Sequence, residues 1–260
     1  AILAILALLA IFADVIADYD TMVVAQNIPE RLQGPSAAHW FGTDEFGRDI
    51  FARIIHGGRV SLVVGLISVS VSLLAGGSLG AFAGFYGGRV DNVIMRVMDI
   101  FLAVPSILLA ITIVAALGTN LVNVMLAIGV SGIPTFARIV RAAVMGVKDQ
   151  EFVESARAIG ETNTAIIFRE ILPNCMAPII VQSTLSVASA ILSTASLSFI
   201  GLGVQPPDPE WGAMLSSGRN FLRDAMHITL FPGLAIVVTI LALNLLGDGL
   251  RDALDPRLKQ

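Results

Sequence analysis

Residues 60–88, VSLVVGLISVSVSLLAGGSLGAFAGFYGG, run from Arg59 to Arg89 without a charge. A membrane span needs about 20 mostly apolar residues, because each helical residue advances about 1.5 Å and the hydrocarbon layer is about 30 Å thick. This stretch is long enough to cross. Within it Ser68, Ser72, Gly76, Gly80, Gly84 and Gly88 recur at every fourth position, which leaves one helical face nearly smooth. In lipid, where Leu against Leu gains little, such a face lets another backbone come within van der Waals contact. Gly76, Gly80 and Gly84 are therefore candidate helix-packing positions, and the helix they receive belongs either to this chain or to a neighbouring subunit.

The same test, moved outward, finds further charge-free intervals. Residues 1–13 precede Asp14 and read as the surviving part of a first span; residues 100–137 hold two helices around the turn signal Gly118-Thr119-Asn120; residues 171–207 and 225–247 hold one each. Six transmembrane helices result, with both ends on one side. The chain starts at Ala1 inside an apolar run and without Met, so a preceding segment is expected. Composition agrees with a membrane chain: of its 260 residues 55% are hydrophobic and 14% charged, and the mean hydropathy is +0.82. Soluble domains carry about 25% charged residues, so a water-soluble globule and a disordered chain are both excluded. A net charge of −4 supplies no basic face for nucleic acid. The single cysteine, Cys175, cannot close an intramolecular disulfide, and His39, His56 and His227 lack metal-ligand spacing. The fold class is an all-α membrane protein that binds no cofactor or metal of its own.

Lysine and arginine set the orientation. Arg89, Arg96, Arg138, Arg141, Lys148, Arg157, Arg169, Arg251, Arg257 and Lys259 fall on the side of the C-terminus, and Arg31, Arg48, Arg53, Arg59, Arg219 and Arg223 on the other. The richer side is the cytoplasm, where both termini are placed. Residues 1–60 then comprise the first helix and an extracytoplasmic segment in which Phe46, Ile50 and Ile54, at helical spacing among charges, predict a short helix in the membrane interface. Residues 61–260 form a five-helix core with a cytoplasmic loop, 147–173, and an extracytoplasmic loop, 201–224. The latter is too rich in Pro and Gly for a regular element, and Trp211 is placed to anchor it among headgroups.

The cytoplasmic loop carries a pattern that a solvated linker would not need. Phe152, Val153, Ala156 and Ile159 make an apolar stripe among Glu151, Glu154 and Arg157; Gly160 interrupts it; Thr162 is placed to cap a second helix holding Ile166, Ile167, Phe168 and Ile171; and Pro173 stops that helix. Such a pair of short helices either docks a soluble partner or lies on the bilayer or its own bundle. The next span is rich in hydroxyls, among them Ser186, Ser189, Ser193 and Thr194. They line a polar path for solute or bond the carbonyl four residues back. Pro105, Pro134, Pro178 and Pro232 lie in or near four spans as potential kinks.

Absences narrow the function. There is no Gly-Lys pair, so the chain has no P-loop and is no self-sufficient ATPase. Spans two to six carry no acid or base near their centres, which removes a proton relay. An intramembrane enzyme would need a catalytic constellation, and His227 alone at a helix end does not make one. Two readings remain: a subunit of a driven transporter, and a self-contained homo-oligomeric channel or secondary carrier.

In its cytoplasmic loop the chain resembles the permease subunits of binding-protein-dependent ABC importers. Glu154, Ala156, Gly160, Leu172 and Pro173 stand in the register of that family's loop, with Ser155 at the place of its first Ala. Three more stretches are similar to the second permease subunit of dipeptide, oligopeptide, glutathione and nickel systems: Gly42-Thr43-Asp44 to Gly47-Arg48-Asp49, the loop from Gly201 to Gly212, and the tail from Gly247 to Pro256. The resemblance covers nearly the whole chain. It implies the type I importer permease fold, a heterodimer with a homologous permease, two cytoplasmic ATPases that use ATP and Mg, an extracytoplasmic solute-binding protein, and a bacterial or archaeal inner membrane. It also implies that residues 161–170 are the coupling helix.

Overall fold

The structure, a computed structural model, describes residues 1–254. Its main helices are α1 (Ile2–Ile11), α2 (Ile50–Tyr86), α3 (Gly88–Leu102), α4 (Ser106–Leu117), α5 (Leu121–Val147), α6 (Glu151–Ala158), α7 (residues 163–174), α8 (Met176–Phe199), α9 (Trp211–Gly218) and α10 (His227–Leu254). Among the described residues there is no strand, only an isolated bridge between Thr43 and Asp49. Arg257, Lys259 and the tail residues Asp255 and Pro256 lie outside the described part.

Helices α2, α5, α8 and α10 are long and apolar enough to cross a membrane. The pair α3 and α4, bent by 84°, counts as a fifth span only if taken together. Among the described residues four or five spans are thus counted, and α1, expected as the surviving part of a further one, has 10 residues and rises about 15 Å. Where the sequence predicts turns, the chain makes them. Gly118 adopts φ +97°, and Asn120 Oδ1 accepts the Asn123 N–H at 2.8 Å to start α5.

The interfacial helix expected around residues 46–54 is not a separate element. Residues 42–49 form a loop, and Ile50 opens a 37-residue helix whose first turn is capped by Asp49 Oδ1 accepting the Ala52 N–H at 2.8 Å. Charges within that first part did not end the helix because each finds a distant partner. Arg53 donates to the Val23 carbonyl (2.7 Å), the His56 ring bonds the Ala17 carbonyl (2.9 Å), and Arg59 donates to the Ala10 carbonyl (3.0 Å) and to Asp14 (2.9 Å).

The chain packs as two compact units, each discontinuous in sequence. The first comprises Ala1–Leu66, Ile111–Met125 and Val187–Asn244; the second comprises Ile67–Ala110, Leu126–Ser186 and the described residues from Leu245. In the second unit the small-residue ladder of α2 faces α5. Ser72 donates to the Gly129 carbonyl at 2.6 Å, and a Cβ on Gly76, Gly80 or Gly84 would meet the backbone carbonyls of Ile133, Ala137 and Arg141 respectively. A backbone carbonyl cannot rotate aside. Gly80→Leu is therefore expected to lower the stability of the detergent-extracted chain by about 1–3 kcal/mol, the usual cost of overpacking; an unchanged melting temperature would contradict the close approach.

The prolines divide by position. Pro105 lies in the break before α4, and Pro178 in the first turn of α8, where its missing N–H leaves no carbonyl unpaired. Pro134 and Pro232 are internal to α5 and α10.

Candidate functional site

The loop between α5 and α8 belongs wholly to the second unit. Helix α6 turns Val153 and Ala156 inward and leaves Glu154 exposed. It ends in a Schellman motif: the Gly160 N–H reaches the Arg157 carbonyl at 3.1 Å, and the Glu161 N–H reaches the Ala156 carbonyl at 3.1 Å. Gly160 carries φ +82°, a left-handed conformation that costs a side chain about 1–2 kcal/mol. Thr162 then caps α7, its hydroxyl accepting the Ala165 N–H at 3.3 Å.

Ile166, Ile167 and Ile171 of α7 are fully buried in one cluster with Val153 and Ala156 of α6, Ala81 and Phe85 of α2, Val140 and Val144 of α5, and Cys175 and Ile179. The loop thus has an apolar base. Its outer side shows Glu151, Glu154, Arg157, Phe168 and Arg169, with Ile159 at 78% exposure. Leu172 packs half-buried against the cluster and Pro173 is exposed. Pro173 does not stop the second helix, as the sequence suggested. The turn Ile166–Ile171 is wound as a π-helix, with the Leu172 N–H bonded to the Ile167 carbonyl, and this wider winding accommodates the proline ring; the break comes at Cys175.

The hydroxyls of α8 mostly serve the helix itself. Thr194 is fully buried and donates to the Ala190 carbonyl at 2.8 Å; Ser186 accepts from Gln182 at 3.0 Å; Ser193 is half-buried; and Ser189 is exposed.

A second polar constellation occupies the first unit. Asp44 accepts the Phe46 and Arg48 N–H groups at 2.8 and 3.0 Å and forms an ion pair with Arg48 at 2.7 Å, with Arg53 at 3.5 Å from the same carboxylate. Asp49 holds the His39 ring at 2.8 Å. Burial, with Asp44 beside it, pushes the Glu45 carboxyl above its ordinary value. Tyr19 donates to Asp208 at 2.9 Å, and burial together with that bond moves its hydroxyl up to about 12. Trp211, expected among headgroups, is 2% exposed: its indole lies over Gly57 and Gly58 and donates to the Ile54 carbonyl at 2.9 Å. Glu210 beside it caps α9, a helix that the Pro- and Gly-rich composition concealed, by accepting the Ala213 N–H at 2.9 Å. Arg53, which lies 3.5 Å from the Asp44 carboxylate, also donates to the Pro207 carbonyl at 3.5 Å, and so joins the loop motifs at 42–49 and 201–212, a link that their separation in sequence hid.

Residues 76–260 match the family described as the binding-protein-dependent transport system inner membrane component. The chain belongs to that family. Among relatives of this permease, the dipeptide transport system permease protein DppC of Alkalihalophilus pseudofirmus is 52% identical over 97% of this chain and 82% of its own length. The di/tripeptide permease DppC of Pseudomonas aeruginosa is 50% identical over 96% and 84%, and the glutathione permease GsiD of Escherichia coli O157:H7 is 48% identical over 98% and 84%. In fold the permease is similar to a chain of the inward-facing methionine ABC transporter MetNI, with TM-score 0.63 and 17% identity over 78% of this chain and 96% of that one. The fold is thus the type I importer permease fold, and the chain is a transporter component of the inner membrane.

Proposed function

We propose that this permease forms the translocation path of an ATP-driven importer of peptides or similar small solutes together with a second, homologous permease, and that the loop around Gly160 couples it to two cytoplasmic ATPases. The geometry of that loop carries the reading: a glycine-locked turn, rooted in a buried apolar base, presents Glu154, Ile159 and Phe168 outward. An exposed acid beside exposed apolar groups is what a groove in a soluble partner can grip. ATP and Mg act on the partner chains. An extracytoplasmic binding protein delivers solute, and the Lys/Arg asymmetry supports cytoplasmic termini. Peptide or glutathione as cargo is supported by the dipeptide, di/tripeptide and glutathione permeases that this chain resembles along nearly its whole length.

The test is co-purification from the native membrane, wild type beside Glu154→Arg. Glu154 lies in the first turn of α6, where reversing its charge costs only about 0.3–1 kcal/mol, so the chain stays folded. The expected outcome is recovery of a second permease and ATPases with the wild type, and loss of the ATPases from the variant. Recovery of this chain alone would favour the homo-oligomeric channel.

A further inference from the structure

Helix α3 takes no part in the coupling loop, and its surface is divided in three. One side faces the protein: Met98 is buried, Ile94 and Met95 are half-buried, and Asp91 accepts two hydrogen bonds from Arg141 at 2.5 and 2.6 Å, while Asp99, itself exposed beside Asn92, accepts one from Arg138 at 2.6 Å. A second side is an exposed apolar row, Val90, Val93, Val97 and Ile100, with Val93 and Ile100 at 64% and 68% exposure. Their spacing of three and four residues keeps them on one stripe. Along its edge runs a third, exposed polar side with Arg89, Asn92 and Arg96.

Both acids of α3 are paired with arginines of α5, so the charge that this helix presents outward is cationic. Helix α4, apolar but for Ser106 and Thr112, leaves α3 at 84°. A helix set nearly at right angles to one that enters hydrocarbon runs along the membrane plane. Two arginines, Arg89 and Arg96, border the apolar row directly. That arrangement fits a boundary between acyl chains and headgroups, where long cationic side chains reach up to phosphate.

We propose that α3 is an in-plane helix that binds anionic phospholipid, with Val90, Val93, Val97 and Ile100 in the acyl boundary and Arg89 and Arg96 on headgroup phosphates. The assembled transporter, in nanodiscs of phosphatidylcholine with or without phosphatidylglycerol, tests this. Spin labels at Val93→Cys and Val97→Cys are expected to be relaxed strongly by oxygen and weakly by a water-soluble nickel chelate, with the reverse at Asn92→Cys; native Cys175 is buried and stays unlabelled. Retention of spin-labelled phosphatidylglycerol over phosphatidylcholine is expected to fall about fivefold for each arginine removed in Arg89→Gln and Arg96→Gln. Labels at Val93 and Val97 shielded from both reagents would mean that a protein subunit covers the row, and labels reached by nickel would mean water; either overturns the proposal. So would a phosphatidylglycerol preference unchanged in the double variant. None of these readouts depends on uptake.

Discussion

Gly160→Pro is expected to reduce solute uptake at least about tenfold, the equivalent of losing about 1.4 kcal/mol of docking energy, while the membrane domain stays folded. Three local facts produce the effect. Proline is locked near φ −65°, against the +82° observed; it lacks the N–H that Gly160 donates to Arg157; and it disfavours the conformation of Ile159, at φ −83° and ψ 1°. The Schellman turn opens, and α6 and α7 no longer present Glu154 and Phe168 in one arrangement. The damage is confined, because Gly160 is exposed and no atom lies within 4 Å of where its Cβ would be, while the isoleucines of α7 keep their buried anchorage. ATP hydrolysis measured beside uptake in proteoliposomes separates the cases: hydrolysis persists and uptake falls. Normal uptake would show that the turn does not transmit movement.

Trp211→Ala is expected to destabilise the permease by about 3–5 kcal/mol, the range for emptying a large buried aromatic site. The indole is buried against Gly57 and Gly58, and Gly212 next to it sits so close to the Ala195 backbone that the α9 segment has no room to collapse inward. A headgroup anchor on the surface would cost only about 0.5 kcal/mol when removed. Thermal unfolding of the solubilised complex distinguishes the two, and a shift within error would contradict the buried placement.

What could be read in the sequence depended on how local its cause is. The Gly160 turn, the Thr162 cap and the break at Gly118 follow from the chemistry of one residue and its immediate neighbours, and the structure has them where the sequence put them. The ladder of α2 announced a close helix contact but not its partner, because small residues fit any approaching backbone; α5 supplies it. The start of α2 was missed since Arg53, His56 and Arg59 look like the end of an apolar run, and only carbonyls from residues 10 to 23 make them acceptable within a helix. Helix α3 was missed for the same reason: Asp91 and Asp99 are neutralised by arginines of α5, far along the chain. Trp211, expected among headgroups, is buried instead, and the two glycines that its indole covers leave no pattern of their own.

The central claim is that movement enters this chain through the Gly160 loop from ATPases on the same side of the membrane. Uptake of a labelled dipeptide into proteoliposomes holding the purified complex, with the binding protein supplied on the opposite side, tests it most directly. Uptake is predicted to require ATP on the loop side and to fall at least about tenfold in Gly160→Pro while hydrolysis continues. Uptake that proceeds without ATP, or from liposomes containing this chain alone, would contradict the account.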